Sequence, residues 1–179
     1  MSARRLAILG VLVVAAAALV LLVEAPVRRT GEEAVSGPRL VRIPPDAVDG
    51  IELTIGEHRV AAERVDGGWT SGGRPASPAL ADALEDLLRT LTTLRAVDRF
   101  KPRDGASFGL EPVPRARIVL RSRRGPVRIL LGELNGARSA VYARRDGTPH
   151  VWLVGLYLVS AMERVVYFAQ GGTPSPAAS

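Results

Sequence analysis

The chain has 179 residues, a formal net charge of +6 at neutral pH and no cysteine. Lacking cysteine, it has no disulfide framework, thiol nucleophile, lipidated cysteine or thiolate metal site. Its basicity is almost wholly arginine and unevenly placed: residues 46–98 carry ten acidic and five basic side chains, whereas 99–170 carry five acidic and thirteen basic. The two halves can attract each other, or the basic half can meet an anionic partner.

Residues 6–23, LAILGVLVVAAAALVLLV, contain neither a charge nor a hydrogen-bonding side chain. As a helix they span about 27 Å, close to the hydrocarbon thickness of a bilayer. A buried core helix of this kind would show a polar face, and a secretory signal has a shorter apolar region, about 7 to 15 residues. Its best cleavage site, Val23-Glu24-Ala25, is followed by Pro26. The expectation is a single-span anchor. Arg4 and Arg5 favour a cytoplasmic residue 1–5 segment, with Arg28 and Arg29 weakening the asymmetry, so the rest of the chain is expected outside the cytoplasm.

Residues 24–45 read as a linker, interrupted by Pro26, Gly31, Gly37, Pro38, Pro44 and Pro45, with one short strand at 40–43. A flexible tether of that length reaches about 25 Å, which keeps the domain near the membrane surface. The folded domain is expected over 46–170. Ile51, Leu53 and Ile55 alternate with polar residues, Gly56-Glu57 suits a type II′ turn, and 58–64 returns, setting Leu53 against Val60 and Ile51 against Ala62. Asp66-Gly67-Gly68 then turns the chain into a short strand at Trp69.

Ser77-Pro78 starts a helix, with a serine cap and proline at the first turn. Leu80, Leu84, Leu87, Leu88, Leu91 and Leu94 make its buried stripe, and Asp82, Glu85, Asp86 and Arg89 take the opposite face. A strand at 96–100 and a loop at 101–107 follow. Residues 116–122 and 127–131 form a hairpin, 139–144 and 150–154 another around Asp146-Gly147, and 156–166 a second helix. The tail 171–179 reads as disordered. The fold class expected is α+β: an N-terminal transmembrane helix, then an antiparallel-sheet domain with two strands-then-helix halves and helices covering one face.

With these elements in place, the chain resembles the bacterial family called domain of unknown function 4340. The likeness lies in the anchor, an Ile-x-Leu strand, a strand near Gly-Gly-Trp, the leucine-rich helix, Phe108-Gly109-Leu110, Pro112 or Pro114 leading into Ala116-Arg117-Ile118-Val119-Leu120, Leu131-Gly132, Val141-Tyr142-Ala143-Arg144 and Asp146-Gly147. It covers roughly 43–166. The resemblance implies no catalytic residues and genes that often neighbour those of an ABC-type transporter of the gliding-motility kind. This chain is shorter than many members.

Chemical motifs are few. His58 and His150 stand alone at strand positions, better read as solvated or capping groups than as metal ligands. There is no Gly-x-Ser-x-Gly, Walker or Gly-x-Gly-x-x-Gly pattern. Asp46, Asp49, Glu32 and Glu33 fall in turn or linker sequence, where solvation is their ordinary role. No catalytic, metal or cofactor residue is assigned, and no cofactor is expected. The candidate anion or partner contact is Arg117, Arg121, Arg123 and Arg128. With 123–126 as a four-residue loop, Ser122 pairs with Val127, Leu120 with Ile129 and Ile118 with Leu131. Arg121 then lies directly opposite Arg128, a like-charge pair that asks for a compensating anion, either the acidic half of the chain or an external partner.

Three functions follow as expectations. The first is an accessory or scaffold protein of the bacterial inner (cytoplasmic) membrane, single-pass, with protein partners in a membrane complex. The second is a binding module for an anionic envelope polymer or lipid headgroup, since an extracytoplasmic domain has little call on nucleic acid. The third, placed below both, is an envelope hydrolase with carboxylates distant in sequence.

Overall fold

The computed structural model describes residues 37–103 and 106–172. The expected anchor at 6–23, most of the expected linker, and residues 173–179 of the expected tail lie outside the described residues. Among those described, no helix is long and apolar enough to cross a membrane.

Apolar residues at every second position give strands that bury one face. β1 (Val48–Ile55) and β2 (His58–Val65) close around Gly56-Glu57 in the expected register, Leu53 opposite Val60 and Ile51 opposite Ala62. Gly56 has φ +55°, the sign a type II′ turn needs at its first central residue. After Asp66-Gly67, β3 (Gly68–Ser71) carries the buried Trp69, and β4 (Arg74–Pro75) ends that edge. A two-residue strand ending in proline leaves few donors for another chain to pair with.

α1 (Pro78–Thr93) begins as its sequence dictates, with Leu80 N–H donating to Ser77 Oγ at 3.3 Å. Leu80, Leu84, Leu87, Leu88 and Leu91 are buried in the core. β5 (Asp98–Phe100) follows, then β6 (Ala116–Ser122), β7 (Val127–Leu134), β8 (Ala140–Arg145), β9 (Val151–Gly155) and α2 (Tyr157–Ala169). The nine strands make one sheet, β4-β3-β2-β1-β6-β7-β8-β9-β5, antiparallel at every pairing. The first strands of the two halves meet at its centre, and β5 crosses to the far edge. The helices pack against each other, and both contribute to one core over the same sheet face with Ile51, Leu53, Ile118, Leu120, Ile129 and Val154. The domain is therefore an antiparallel sheet with two helices.

The β6–β7 register differs from the expected one by two residues: Leu120 pairs with Val127, Val119 with Arg128 and Ile118 with Ile129. The turn chemistry explains the slip. A turn centred on Arg123-Arg124 brings Arg121 opposite Pro126, which has no N–H for the ladder, so the rungs begin at Leu120 and Val127. Ser122 to Gly125 close instead as a turn, Gly125 N–H donating to Ser122 O at 2.9 Å and Ser122 Oγ to Gly125 O at 3.0 Å. Arg121 and Ser122 pair only with β1.

The packed domain also reaches upstream of Asp46. Leu40 and Val41 are 0% and 1% exposed, Ala96 N–H donates to Pro38 O at 3.1 Å, and Arg39 forms an isolated bridge with Arg95. Two adjacent apolar side chains, both able to reach the core, hold down a segment whose prolines prevent a regular strand.

Candidate functional site

Residues that point away from the helices form the outer sheet face, which divides into a charged part and an aromatic part. Across β2, β1 and β6 the charged part is a row of ion pairs: Arg59 Nη2 to Glu52 Oε2 at 3.1 Å, Arg121 Nη2 to Glu52 Oε1, and Arg121 Nη1 to Glu63 Oε1 at 2.8 Å. Gly50 lies between Glu63 on one strand and Arg121 on the other. A Cβ there would sit 3.3 Å from Arg121 Cδ, so the bare backbone lets the arginine stem cross β1 to Glu63. The Arg121 hydrogen bond holds the Glu52 carboxyl below its ordinary pKa; partial burial opposes this and Arg59 adds to it. Reciprocally, Glu52 raises the Arg121 guanidinium.

The four expected contact residues therefore separate. Arg121 is not opposite Arg128, and its compensating charge comes from the acidic first half of the chain. Arg128 lies opposite Val119, diagonal to Arg121, and its Nη1 is 3.6 Å from Asp146 Oδ2. Arg121 and Arg128 still line one depression of about 350 Å³ together with Glu52 and Val119. Arg117 is exposed beside Thr54 on β1 and Leu130 on β7 and makes no ion pair among the described residues. Arg123 sits with Arg124 at the exposed hairpin tip, neither of them in an ion pair among the described residues. Sequence reasoning passed over Glu52 and Glu63, although the β1–β2 register already placed both outward. The β1–β6 pairing that brings Arg121 to them joins residues with Thr54↔Arg117 and Leu53↔Ile118 as partners, far apart along the chain.

Across β7, β8, β9 and β5 the outer face is closed. Phe100, Phe108 and Tyr142 meet with centroids 4.7–6.4 Å apart, and Leu110 and Val151 are 4% and 2% exposed. The loop carrying Phe108-Gly109-Leu110 folds back here, held by Glu133 N–H to Phe108 O at 2.8 Å. That donor is available because β7 bulges between Leu131 and Leu134. Arg144 pairs with Glu111 at the rim.

On the helical side, Trp69 Nε1 donates to Glu85 Oε1 at 2.8 Å and Arg64 Nη2 to the same oxygen at 2.6 Å, so Glu85 is more than a solvated polar-face residue. His58 Nδ1 lies 2.8 Å from Gln170 Nε2. Among the described residues no three His, Asp or Glu side chains converge as a metal site.

A family model described as Domain of unknown function (DUF4340) matches residues 74–165, slightly more than half of the chain. The match takes in the loop at Phe108-Gly109-Leu110 and the bulge at Leu131-Gly132; the Ile-x-Leu strand and Trp69 precede it. No curated protein matches, and no solved structure matches.

Proposed function

The chain belongs to the DUF4340 family, and on that premise we propose that it is a membrane-anchored accessory or scaffold protein that acts by docking. The observation that carries the proposal is the outer face of β2, β1, β6 and β7. Among the described residues no helix covers it, and it presents an ordered charge row, Arg59–Glu52–Arg121–Glu63, next to Arg117 and Arg128. Charges set on strand backbones and tied to one another are pre-oriented, so a complementary surface meets them at little cost in side-chain ordering.

The residue 6–23 segment supports a single-span anchor, with the domain outside the cytoplasm of a bacterial inner membrane. The partner we propose is a protein of a membrane complex, of the ABC-transporter type that the family resemblance implies. The test is affinity purification of the full chain in mild detergent, compared with an Arg117→Gln, Arg128→Gln variant. A stoichiometric membrane partner, lost at high salt and lost from the variant, is the expected result. Recovery of monomer alone under several detergents and ionic strengths would overturn the proposal.

A further inference from the structure

At the end of the sheet where β1 begins and β2 and β6 finish, a cleft of about 540 Å³ has opposite charges on its walls. Asp46 and Asp49 come from the segment entering β1, and Arg123 and Arg124 from the β6–β7 turn. All four are exposed, and among the described residues none makes an ion pair with another or with any third group.

Each is carried by a backbone feature of its own. Asp46 sits in a 3-10 turn closed by Ala47 N–H to Pro44 O at 3.0 Å, directly after two consecutive prolines. Asp49 is the bulge residue between Val48↔Ser122 and Gly50↔Arg121. Arg123 and Arg124 are the central residues of the Ser122–Gly125 turn, in which Arg124 N–H donates to Ser122 Oγ at 3.3 Å. A third guanidinium, Arg64, lines the cleft but is already committed: its Nη2 is on Glu85 at 2.6 Å, and it lies over the Trp69 ring at 4.8 Å. Its Nε is buried without an acceptor among the described residues.

The charges left for a ligand are therefore two carboxylates and two guanidiniums. A simple anion is repelled by Asp46 and Asp49, and a simple cation by Arg123 and Arg124. Guanidiniums bind phosphate or carboxylate oxygens, and carboxylates accept from a primary ammonium. The volume lies within the range of small-molecule sites. We propose that this cleft binds a small zwitterion, an anionic phosphate or carboxylate group against Arg123 and Arg124 and an ammonium group against Asp46 and Asp49. The inference goes beyond the docking proposal and uses different residues. The same chemistry has two sources, the phosphoethanolamine headgroup of a bilayer lipid and a free zwitterion such as a short peptide.

The test is calorimetric titration of the detergent-solubilised full chain with phosphoethanolamine, short-chain phosphatidylethanolamine, dialanine, phosphocholine and inorganic phosphate. Saturable binding of a zwitterion bearing a primary ammonium is expected, about tenfold or more tighter than phosphocholine or phosphate, the scale of one charged contact. Asp46→Asn with Asp49→Asn should erase that preference, and Arg123→Gln with Arg124→Gln should abolish binding, both without change in Tm because all four side chains are exposed. Binding of phosphoethanolamine and its lipid identifies the headgroup as the source; tighter binding of dialanine identifies a free zwitterion. Absence of saturable binding by either zwitterion overturns the proposal. So does phosphate binding as tightly as phosphoethanolamine, or binding that neither double variant alters.

Discussion

Gly132→Ala tests how the outer sheet face is built. A Cβ at this position would lie 2.9 Å from the Gly109 carbonyl carbon and closer still to the Phe108 carbonyl oxygen. Both are backbone atoms, so no rotamer change relieves the overlap, and the Phe108-Gly109-Leu110 loop has to lift away. It would lose the Glu133 to Phe108 hydrogen bond, worth about 1 kcal/mol, and the Phe108 contacts with Tyr142 and Phe100, about 0.5 to 1.5 kcal/mol each. Partial exposure of the buried Leu110 adds about 1 kcal/mol more. The expected loss is about 3 to 5 kcal/mol, or on the order of 10 °C in Tm for a domain of this size. Circular-dichroism melts of the full chain in detergent measure it, and hydrogen exchange at the Glu133 amide reports the loop directly. Gly136→Ala is the control: a Cβ there meets nothing within 4 Å, and it should melt within about 2 °C of the parent. If Gly132→Ala melts with the control and keeps its Glu133 protection, the close approach of loop and bulge is not what holds this face.

Ser77→Ala should cost about 1 kcal/mol in denaturant unfolding by removing the acceptor for Leu80 N–H, and Ser77→Asp should recover most of it; no change would show that Pro78 alone starts the helix. The depressed Glu52 pKa contributes stability that is fully present above its ordinary value of 4.5 and lost as pH falls through the folded-state value. Arg121→Gln removes the largest cause of the depression, so its stability should fall less steeply below about pH 4.5 than that of the parent; parallel acid limbs in a pH series would count against the Glu52–Arg121 bond. A reporter active only outside the cytoplasm, fused after Ser179, should be active if residues 6–23 span the membrane once, whereas a cytoplasmic signal would show that Arg28 and Arg29 set the orientation.

What could be read from the chain was local. Gly56-Glu57 fixes a two-residue turn and with it the whole β1–β2 register, and Ser77-Pro78 before a leucine stripe places α1 and its buried side. Contacts made by distant segments were not readable. Residues 40–43 stood out as a short strand within a tether, with no sign that Leu40 and Val41 enter the core, β5 showed no sign of pairing at the far edge with β9, and nothing near Gly132 announced that Phe108 would reach it. The same limit applies to the candidate site: arginines on the outward face were found, but their carboxylate partners on β1 and β2 were not.

The β6–β7 slip shows which part of such a reading is physically secure. A shift by two residues keeps Ile118, Leu120, Ile129 and Leu131 on the core side, so the burial of four large side chains is the same in either register. Only an odd shift would expose them, at about 1.5 to 3 kcal/mol for each. Which even register forms is decided by smaller terms, here the hydrogen bonds of the Ser122–Gly125 turn. Facing is therefore fixed by a large free energy and pairing by a small one. An inference from which side Arg121 and Arg128 face survives the slip, whereas one from their being direct neighbours does not. The charged row is accordingly a feature the slip leaves intact, because its ion pairs link three strands and do not depend on where the β6–β7 ladder begins.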